Sequence, residues 1–96
     1  MIVDRITWKA KSDRQLELAA LLKSEVERNG WRGRIYTSLF GGGDTNRVVV
    51  ELEYESMAAM EKAQQEWLSR PGTAAFYKKM NELSENEGSR EMLTLR

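Results

Sequence analysis

The sequence contains no cysteine and no histidine. Without cysteine the chain has no disulfide, no thiolate metal site and no thiol nucleophile. Without histidine it lacks the commonest general base at neutral pH and the usual ligand of zinc and haem iron. Any catalysis must therefore use carboxylates, Lys, Arg, Tyr, Trp, Ser or Thr. Carboxylates could bind magnesium or calcium, but no acidic cluster has a suitable spacing. We expect no metal site and no cofactor.

Net charge and long apolar runs are absent as well. Fifteen acidic and fifteen basic side chains cancel, which gives the surface no general attraction for nucleic acid or an anionic membrane. No apolar run approaches the length of a membrane span. The N-terminal MIVDRITWKAK lacks the charged-then-apolar order of a signal peptide. We therefore expect a cytoplasmic protein without nucleic-acid or membrane partners.

Hydrophobic periodicity indicates one domain, residues 1–96, that begins with a strand and a helix. Alternating side chains predict a strand from Ile2 to Lys11. Ser12 and Gln15 have the spacing of a capping box, which predicts the start of a helix. Gly30 is a typical C-terminal cap, so this helix is predicted over residues 13–29.

The second half of the chain repeats the strand and helix types. Ser56 is the predicted cap of a second helix, and the dipeptide Pro71-Gly72 interrupts that helix. A polar stretch after the helix predicts a loop before the last strand. These further predicted elements are strands 34–40 and 47–55, a helix after residue 56, a helical piece 73–84, a loop 84–89 and a strand 90–96.

The glycine run GGGDTNR at residues 41–47 raises the question of a phosphate-binding loop. Such a loop leads into a helix and carries Lys followed by Ser or Thr. This run lacks Lys and leads into the strand segment VVV, so it favours a β-hairpin. Two alternatives stay open: a flap over a pocket mouth, with Arg47 contacting an anionic ligand, or Arg47 as a solvated charge at the strand end.

The order βαββαβ predicts an α+β, ferredoxin-like fold with a four-stranded antiparallel sheet of strand order 4-1-3-2 and both helices on one face. The predicted helix-facing side chains are Ile6, Trp8, Ile35, Leu39, Val48, Val50, Leu52, Leu93 and Leu95. The predicted opposite face carries Arg5, Thr7, Lys9, Tyr36, Ser38, Val49, Glu51, Glu53, Met92 and Thr94. This second face is either solvated or packed against a second copy of the chain. We favour a homodimer, because a domain of this size is thinly stabilised on its own.

The segment VVVELEYESMAAMEKAQQEWLSRPGTAAFYKKMNEL with the final EMLTLR resembles the dimeric α+β-barrel proteins. These include antibiotic-biosynthesis-type monooxygenases and NIPSNAP-like proteins. The resemblance implies that two sheets pack face to face into a barrel, and that each subunit holds a pocket between sheet and helices. Haem-degrading members use a histidine ligand, which this chain lacks. Cofactor-independent oxygenation of phenol-like or quinol-like substrates needs no histidine. No catalytic residue is carried over from the family.

Four aromatic residues are the candidate substrate-binding residues: Trp8, Tyr54, Trp67 and Phe76. They are expected to converge between sheet and helices, where they either form core or line a pocket for a small apolar or aromatic ligand. Trp31 is expected to cover the edge of the core, and a dimer contact is the alternative. On the opposite face, Tyr36 and Glu51 could form a proton-transferring pair inside a dimer.

Three functions compete at this point. The first is a dimeric protein that binds or oxidises a small aromatic or quinol-like molecule. The second is a non-catalytic dimerisation or ligand-sensing module. The third is RNA binding, because RNA-recognition domains share this topology. Those domains expose aromatic side chains on the open sheet face, whereas this chain would offer Glu51 and Glu53. The sequence therefore disfavours RNA binding.

Overall fold

The computed structural model describes residues 1–38 and 46–96, apart from the side chains of residues 86 and 87. The predicted glycine hairpin and the inward position of Leu39 lie outside the described residues. The elements are β1 (Ile2–Ala10), α1 (Gln15–Asn29), β2 (Gly33–Thr37), β3 (Arg47–Tyr54), α2 (Met57–Leu68), α3 (Thr73–Leu83) and β4 (Ser84–Thr94).

The four strands form one antiparallel sheet in the order β2-β3-β1-β4, which confirms the predicted ferredoxin-like topology. Pairing of Ile6 with Val50 places both on the helix side of the sheet. Arg5 and Glu51 are paired on the opposite side, and the Arg5 Nε donates to Glu51 Oε2 at 2.8 Å. Arg5 and Glu51 therefore share one outer face, as predicted.

The start of α1 differs from the prediction. The helix begins at Gln15 with Arg14 at the cap position, and no side chain caps it. The preceding Asp13 has a φ of 61°, so the chain turns between Ser12 and the helix and the Ser12 hydroxyl does not act as a cap. The Gln15 amide is used elsewhere: it donates to the carbonyl oxygens of Ser38 at 3.2 Å and Arg47 at 2.9 Å. These bonds connect the start of α1 to the residue after β2 and to the first residue of β3.

Three other boundary predictions are confirmed. Gly30 ends α1 in the left-handed conformation, with a φ of 67°. Ser56 caps α2, since its Oγ accepts the Ala59 N–H at 3.1 Å. Pro71 and Gly72 separate α2 from α3, and Gly72 has a φ of 93° that favours glycine.

The last strand corrects two predictions. It begins at Ser84, directly after α3, where a loop 84–89 was predicted. The pairing with β1 continues through Gly88 opposite Trp8, and a Cβ at Gly88 would lie 2.8 Å from the Thr7 carbonyl oxygen. Glu85, Gly88 and Ser89 of this segment are exposed, so this part of the strand needs no alternation of apolar and polar side chains. The polar composition of this segment was therefore a poor guide.

The face assignment of β4 was also wrong by one residue. Arg90 is paired with Ile6 and Met92 with Asp4, so Arg90 and Met92 lie on the helix side. Leu93 is paired with Val3 on the outer face. Leu95 follows the strand and is exposed. The inward position goes to Arg90 because it pairs with the buried Asp4 carboxylate.

The main core lies between α1, α3 and the β1–β3 half of the sheet. The strand residues predicted to be buried, Val48, Val50 and Leu52, are part of it. Helix α2 contributes little, because Met60 is its single buried residue. The buried hydrophobic cluster is Ala10, Leu18, Leu22, Val26, Val48, Val50, Leu52, Phe76, Met80 and Leu83.

Candidate functional site

A cavity of about 640 Å³ lies between the sheet and the helices. The four candidate residues all line it, each from a different element: Trp8 from β1, Tyr54 from β3, Trp67 from α2 and Phe76 from α3. Trp31 lines it as well. The structure thus brings the predicted residues to one cavity, and their role in binding stays a prediction.

Trp67 is the centre of the aromatic wall. Its ring centroid lies 5.6 Å from that of Trp31, 5.8 Å from Phe76 and 5.2 Å from Tyr77. The contacts to Trp31 and Phe76 are edge-to-face, an arrangement that is favoured between aromatic rings. Exposed Leu68 and half-exposed Tyr77 lie where the cavity meets solvent. The wall therefore offers flat apolar surface that reaches the mouth.

An ion pair between Asp4 and Arg90 lines the same cavity. Asp4 is 1% exposed. Its Oδ1 accepts from the Arg90 Nε at 2.8 Å and its Oδ2 from the Arg90 Nη2 at 2.6 Å. This bond raises the pKa of Arg90 above its ordinary value. The same Nη2 approaches the Met60 sulfur at 3.8 Å, which links the pair to α2.

A second buried carboxylate, that of Glu25, also lines the cavity. Its Oε1 accepts from the Arg28 Nε, and its Oε2 accepts from the Arg28 Nη2, each at 2.8 Å. Oε2 also accepts the Trp67 indole N–H at 2.7 Å. Burial raises the pKa of Glu25, but hydrogen bonds from Arg28 and Trp67 outweigh it, so the pKa lies below its ordinary value. Glu25 is therefore anionic at neutral pH.

Tyr54 is a hydrogen-bond donor at this site. Burial raises its pKa above the ordinary value, and the Asp4 carboxylate raises it further, whereas Arg90 lowers it. The phenol therefore stays protonated at neutral pH and cannot act as a base there. Its hydroxyl can donate to a ligand oxygen.

Trp8 presents a different kind of donor. Its Nε1 is buried, and no residue of the described chain accepts its hydrogen. An unpartnered buried donor costs about 1–3 kcal/mol, so such groups usually have a partner.

On the outer face of one chain, the two members of the predicted proton-transferring pair have other partners, and the pair inside a dimer stays a prediction. Glu51 accepts from Arg5 at 2.8 Å, and Tyr36 interacts with Arg34, which raises the pKa of that guanidinium. Each member of the predicted pair thus contacts an arginine. The ionic side chains of this face stabilise the sheet across its strands.

Sequence reasoning missed the two buried carboxylates, although both interrupt an apolar pattern. Asp4 occupies an inward position of β1 between Ile2 and Ile6. Glu25 lies beside Val26 on the buried stripe of α1. A charge at a position that the pattern reserves for the core signals a buried ionic partner. The partner itself, 86 residues away for Asp4, has no local signal.

No group of three or more Asp or Glu side chains that could hold a metal ion occurs among residues 1–38 and 46–96. In the same part of the chain, no helix is long and apolar enough to cross a membrane.

No protein-family model matches the sequence, and no curated protein matches it. Solved structures do resemble it. An uncharacterized NIPSNAP domain protein from Burkholderia xenovorans has a TM-score of 0.84 and 16% identity, over 100% of this chain and 95% of that one. SnoaB, a cofactor-independent oxygenase from Streptomyces nogalater, has a TM-score of 0.68 and 14% identity, over 99% and 92% of the chains. An antibiotic biosynthesis monooxygenase has a TM-score of 0.65 and 12% identity, over 100% and 99%.

These similarities confirm the fold resemblance that the sequence indicated. The chain has the ferredoxin-like α+β fold of NIPSNAP-domain proteins and antibiotic-biosynthesis-type monooxygenases. At such low identity the similarity is one of fold.

Proposed function

We propose that the chain binds a small, neutral aromatic molecule of the phenol or quinone class in the cavity between sheet and helices. The observation that carries this proposal is the cavity itself. Its volume of about 640 Å³ is within the range of small-molecule sites, about 300–1,000 Å³. Four aromatic rings, those of Trp31, Trp67, Phe76 and Tyr77, pack together along its wall.

Preference for a neutral ligand follows from the charges. Asp4 is neutralised by Arg90, and Glu25 by Arg28. An anionic ligand would lose its hydration without gaining an unpaired counter-charge, because Arg90, the basic residue among the described cavity-lining residues, is already paired with Asp4. A planar ring can pack on Trp67, and a ligand oxygen can accept a hydrogen bond from Tyr54. These contacts suit a phenol or a quinone.

Oxidation of such a ligand can proceed without a redox cofactor, because the phenol itself supplies the electrons that reduce O₂. In the balanced reaction, a phenol and O₂ give a quinone and water: one oxygen atom becomes the new carbonyl and the other leaves as water. The protein would bind and orient the ring and donate hydrogen bonds to its oxygen. The fold likeness to SnoaB, which is a cofactor-independent oxygenase, supports this finer proposal.

The test is calorimetric titration with 1-naphthol and 1,4-naphthoquinone, followed by oxygen consumption with the naphthol. We expect dissociation constants in the micromolar to low millimolar range. Asn81 is exposed and lines the cavity, so Asn81→Trp should obstruct it and abolish binding, whereas Asn81→Ala should bind normally. Binding with oxygen uptake supports the enzyme. Binding without uptake leaves a ligand-sensing module. No binding by the wild-type chain refutes the proposal.

We also propose that two copies associate through the outer sheet face. Tyr36 is 43% exposed there and lies opposite Val49, while Leu93 lies on the same face in β4. The paired charges of Arg5 and Glu51 would not oppose the approach of a second copy. Sedimentation equilibrium should give twice the chain mass, and Tyr36→Asp should give the monomer mass. A monomeric wild-type chain would refute this assembly without touching the proposed ligand site.

A further inference from the structure

Helix α2 forms a wall of the cavity but is held by few contacts. Met60 is its one buried residue, while Met57 and Leu68 at its two ends are 46% and 63% exposed. An amphipathic helix normally buries a continuous stripe. The position of α2 therefore depends on the specific contacts of Met60 and Trp67 more than on general packing.

The contact of Trp67 is a charge-assisted hydrogen bond to α1. Its indole N–H donates to Glu25 Oε2 at 2.7 Å, and Glu25 is 5% exposed. Both Glu25 oxygens are in turn bonded to Arg28 at 2.8 Å. Because these two hydrogen bonds from Arg28 fix the plane of the carboxylate, the Glu25 Oε2 that accepts the indole N–H has a defined position.

The same cluster reaches the turn that follows α2. Arg28 Nη1 donates to the Pro71 carbonyl oxygen at 3.3 Å. Arg70 donates to the Asn29 side-chain oxygen, and Asn29 donates to the Glu25 carbonyl oxygen at 2.8 Å. The C-terminal end of α1 thus holds both the last turn of α2 and the turn between α2 and α3.

We infer that Glu25 is a positioning residue of the ligand site: it holds the Trp67 indole, and with it the end of α2, as a fixed wall of the cavity. The part of this inference that concerns ligand affinity rests on the proposed function. Glu25 acts through Trp67, so its loss should loosen the wall even where the ligand makes no contact with the carboxylate. The effect on affinity should disappear when Trp67 can no longer donate.

The central comparison uses Glu25→Gln, with Glu27→Gln as the matched control, since Glu27 is exposed on the same helix. Loss of a charge-assisted hydrogen bond costs about tenfold in an equilibrium constant, which here is the equilibrium between the fixed cavity wall and a displaced one. We therefore expect 1-naphthol to bind Glu25→Gln about tenfold more weakly, and Glu27→Gln like wild type. In a Trp67→Phe background, adding Glu25→Gln should change the affinity less than twofold.

An NMR experiment without ligand tests this inference separately from the proposed function. The ¹⁵N-labelled protein has three indole N–H signals, and Trp67→Phe assigns one of them. Glu25→Gln should shift that signal and speed amide exchange in the last two turns of α2 at least fivefold, whereas Glu27→Gln should do neither. If wild type binds no ligand, the proposed function fails and this experiment decides the inference alone. An unmoved Trp67 signal, unchanged exchange, or an equal loss of affinity in the Trp67→Phe background would overturn it.

Discussion

Replacing Arg90 by alanine should destabilise the fold far more than its exposed position suggests. The Arg90 side chain is 45% exposed, but its partner Asp4 is 1% exposed. The substitution removes both hydrogen bonds that the Asp4 carboxylate accepts from Arg90. The cost therefore comes from leaving the buried Asp4 carboxylate without its counter-charge.

The magnitude follows from the burial of Asp4. Breaking a buried ion pair by removing one partner costs about 3–5 kcal/mol. Because Arg90 borders solvent, water can enter the space it leaves, which points to the lower end, about 3 kcal/mol. A domain of this size has a free energy of unfolding of roughly 5–14 kcal/mol. With a urea m-value of about 1.5 kcal/mol/M, the unfolding midpoint should fall by about 2 M.

Urea unfolding followed by tryptophan fluorescence and circular dichroism measures this shift. Arg14→Ala is the control, since its pair with Glu17 is about half exposed on both sides and should contribute less than about 0.5 kcal/mol. The double variant Asp4→Asn/Arg90→Ala should recover part of the loss, because no buried charge is left without a partner. A cost below 1 kcal/mol for Arg90→Ala, or no recovery in the double variant, would refute the reasoning.

Three further predictions concern other positions. The pKa of Glu25 in the folded protein is depressed, so the stabilisation that Glu25 contributes is present above pH 4.5 and is lost as the pH falls through that folded pKa. The free energy of unfolding, measured as the pH is lowered, should therefore fall more steeply for wild type than for Glu25→Gln. Parallel curves would contradict this prediction. Ser56→Ala removes the bond from the Ala59 N–H and should cost about 1 kcal/mol in urea unfolding, whereas Ser56→Asp should cost almost nothing. Gly33→Ala places a Cβ 2.6 Å from Leu52 Cδ2 and 3.0 Å from the Glu51 carbonyl oxygen. The thermal unfolding midpoint should therefore fall by an amount that corresponds to a loss of about 1–3 kcal/mol in the free energy of unfolding. An unchanged midpoint would contradict this prediction.

The fold could be predicted largely because its elements carry local signals. Alternation along Val48, Val50 and Leu52 identified β3 and its buried face. Gly30 and Ser56 marked helix ends through backbone requirements that operate within a few residues. Helix capping by Ser12 failed because Asp13 adopts a left-handed conformation, and that choice depends on how the chain leaves β1.

The cavity could be predicted only in part. Aromatic residues at strand and helix spacing pointed to the space between sheet and helices, and Trp8, Tyr54, Trp67 and Phe76 all line it. Spacing alone does not distinguish a filled core from a cavity, because the difference depends on how far α2 sits from the sheet. The contacts that α2 makes here, of Trp67 with Glu25 and of Met60 with Arg90, join segments remote in sequence.

The register of β4 shows how a long-range charge outweighs a local hydrophobic pattern. A slip of one residue would move Leu93 to the helix side and Arg90 to the outer face. Burying one leucine contributes about 1.5–3 kcal/mol when it is complete, and less at an edge strand next to an open cavity. The same slip would leave Asp4 buried without a counter-charge, at a cost of about 3–5 kcal/mol. The observed register is therefore the more stable one, and the reason lies in Asp4 near the other end of the chain.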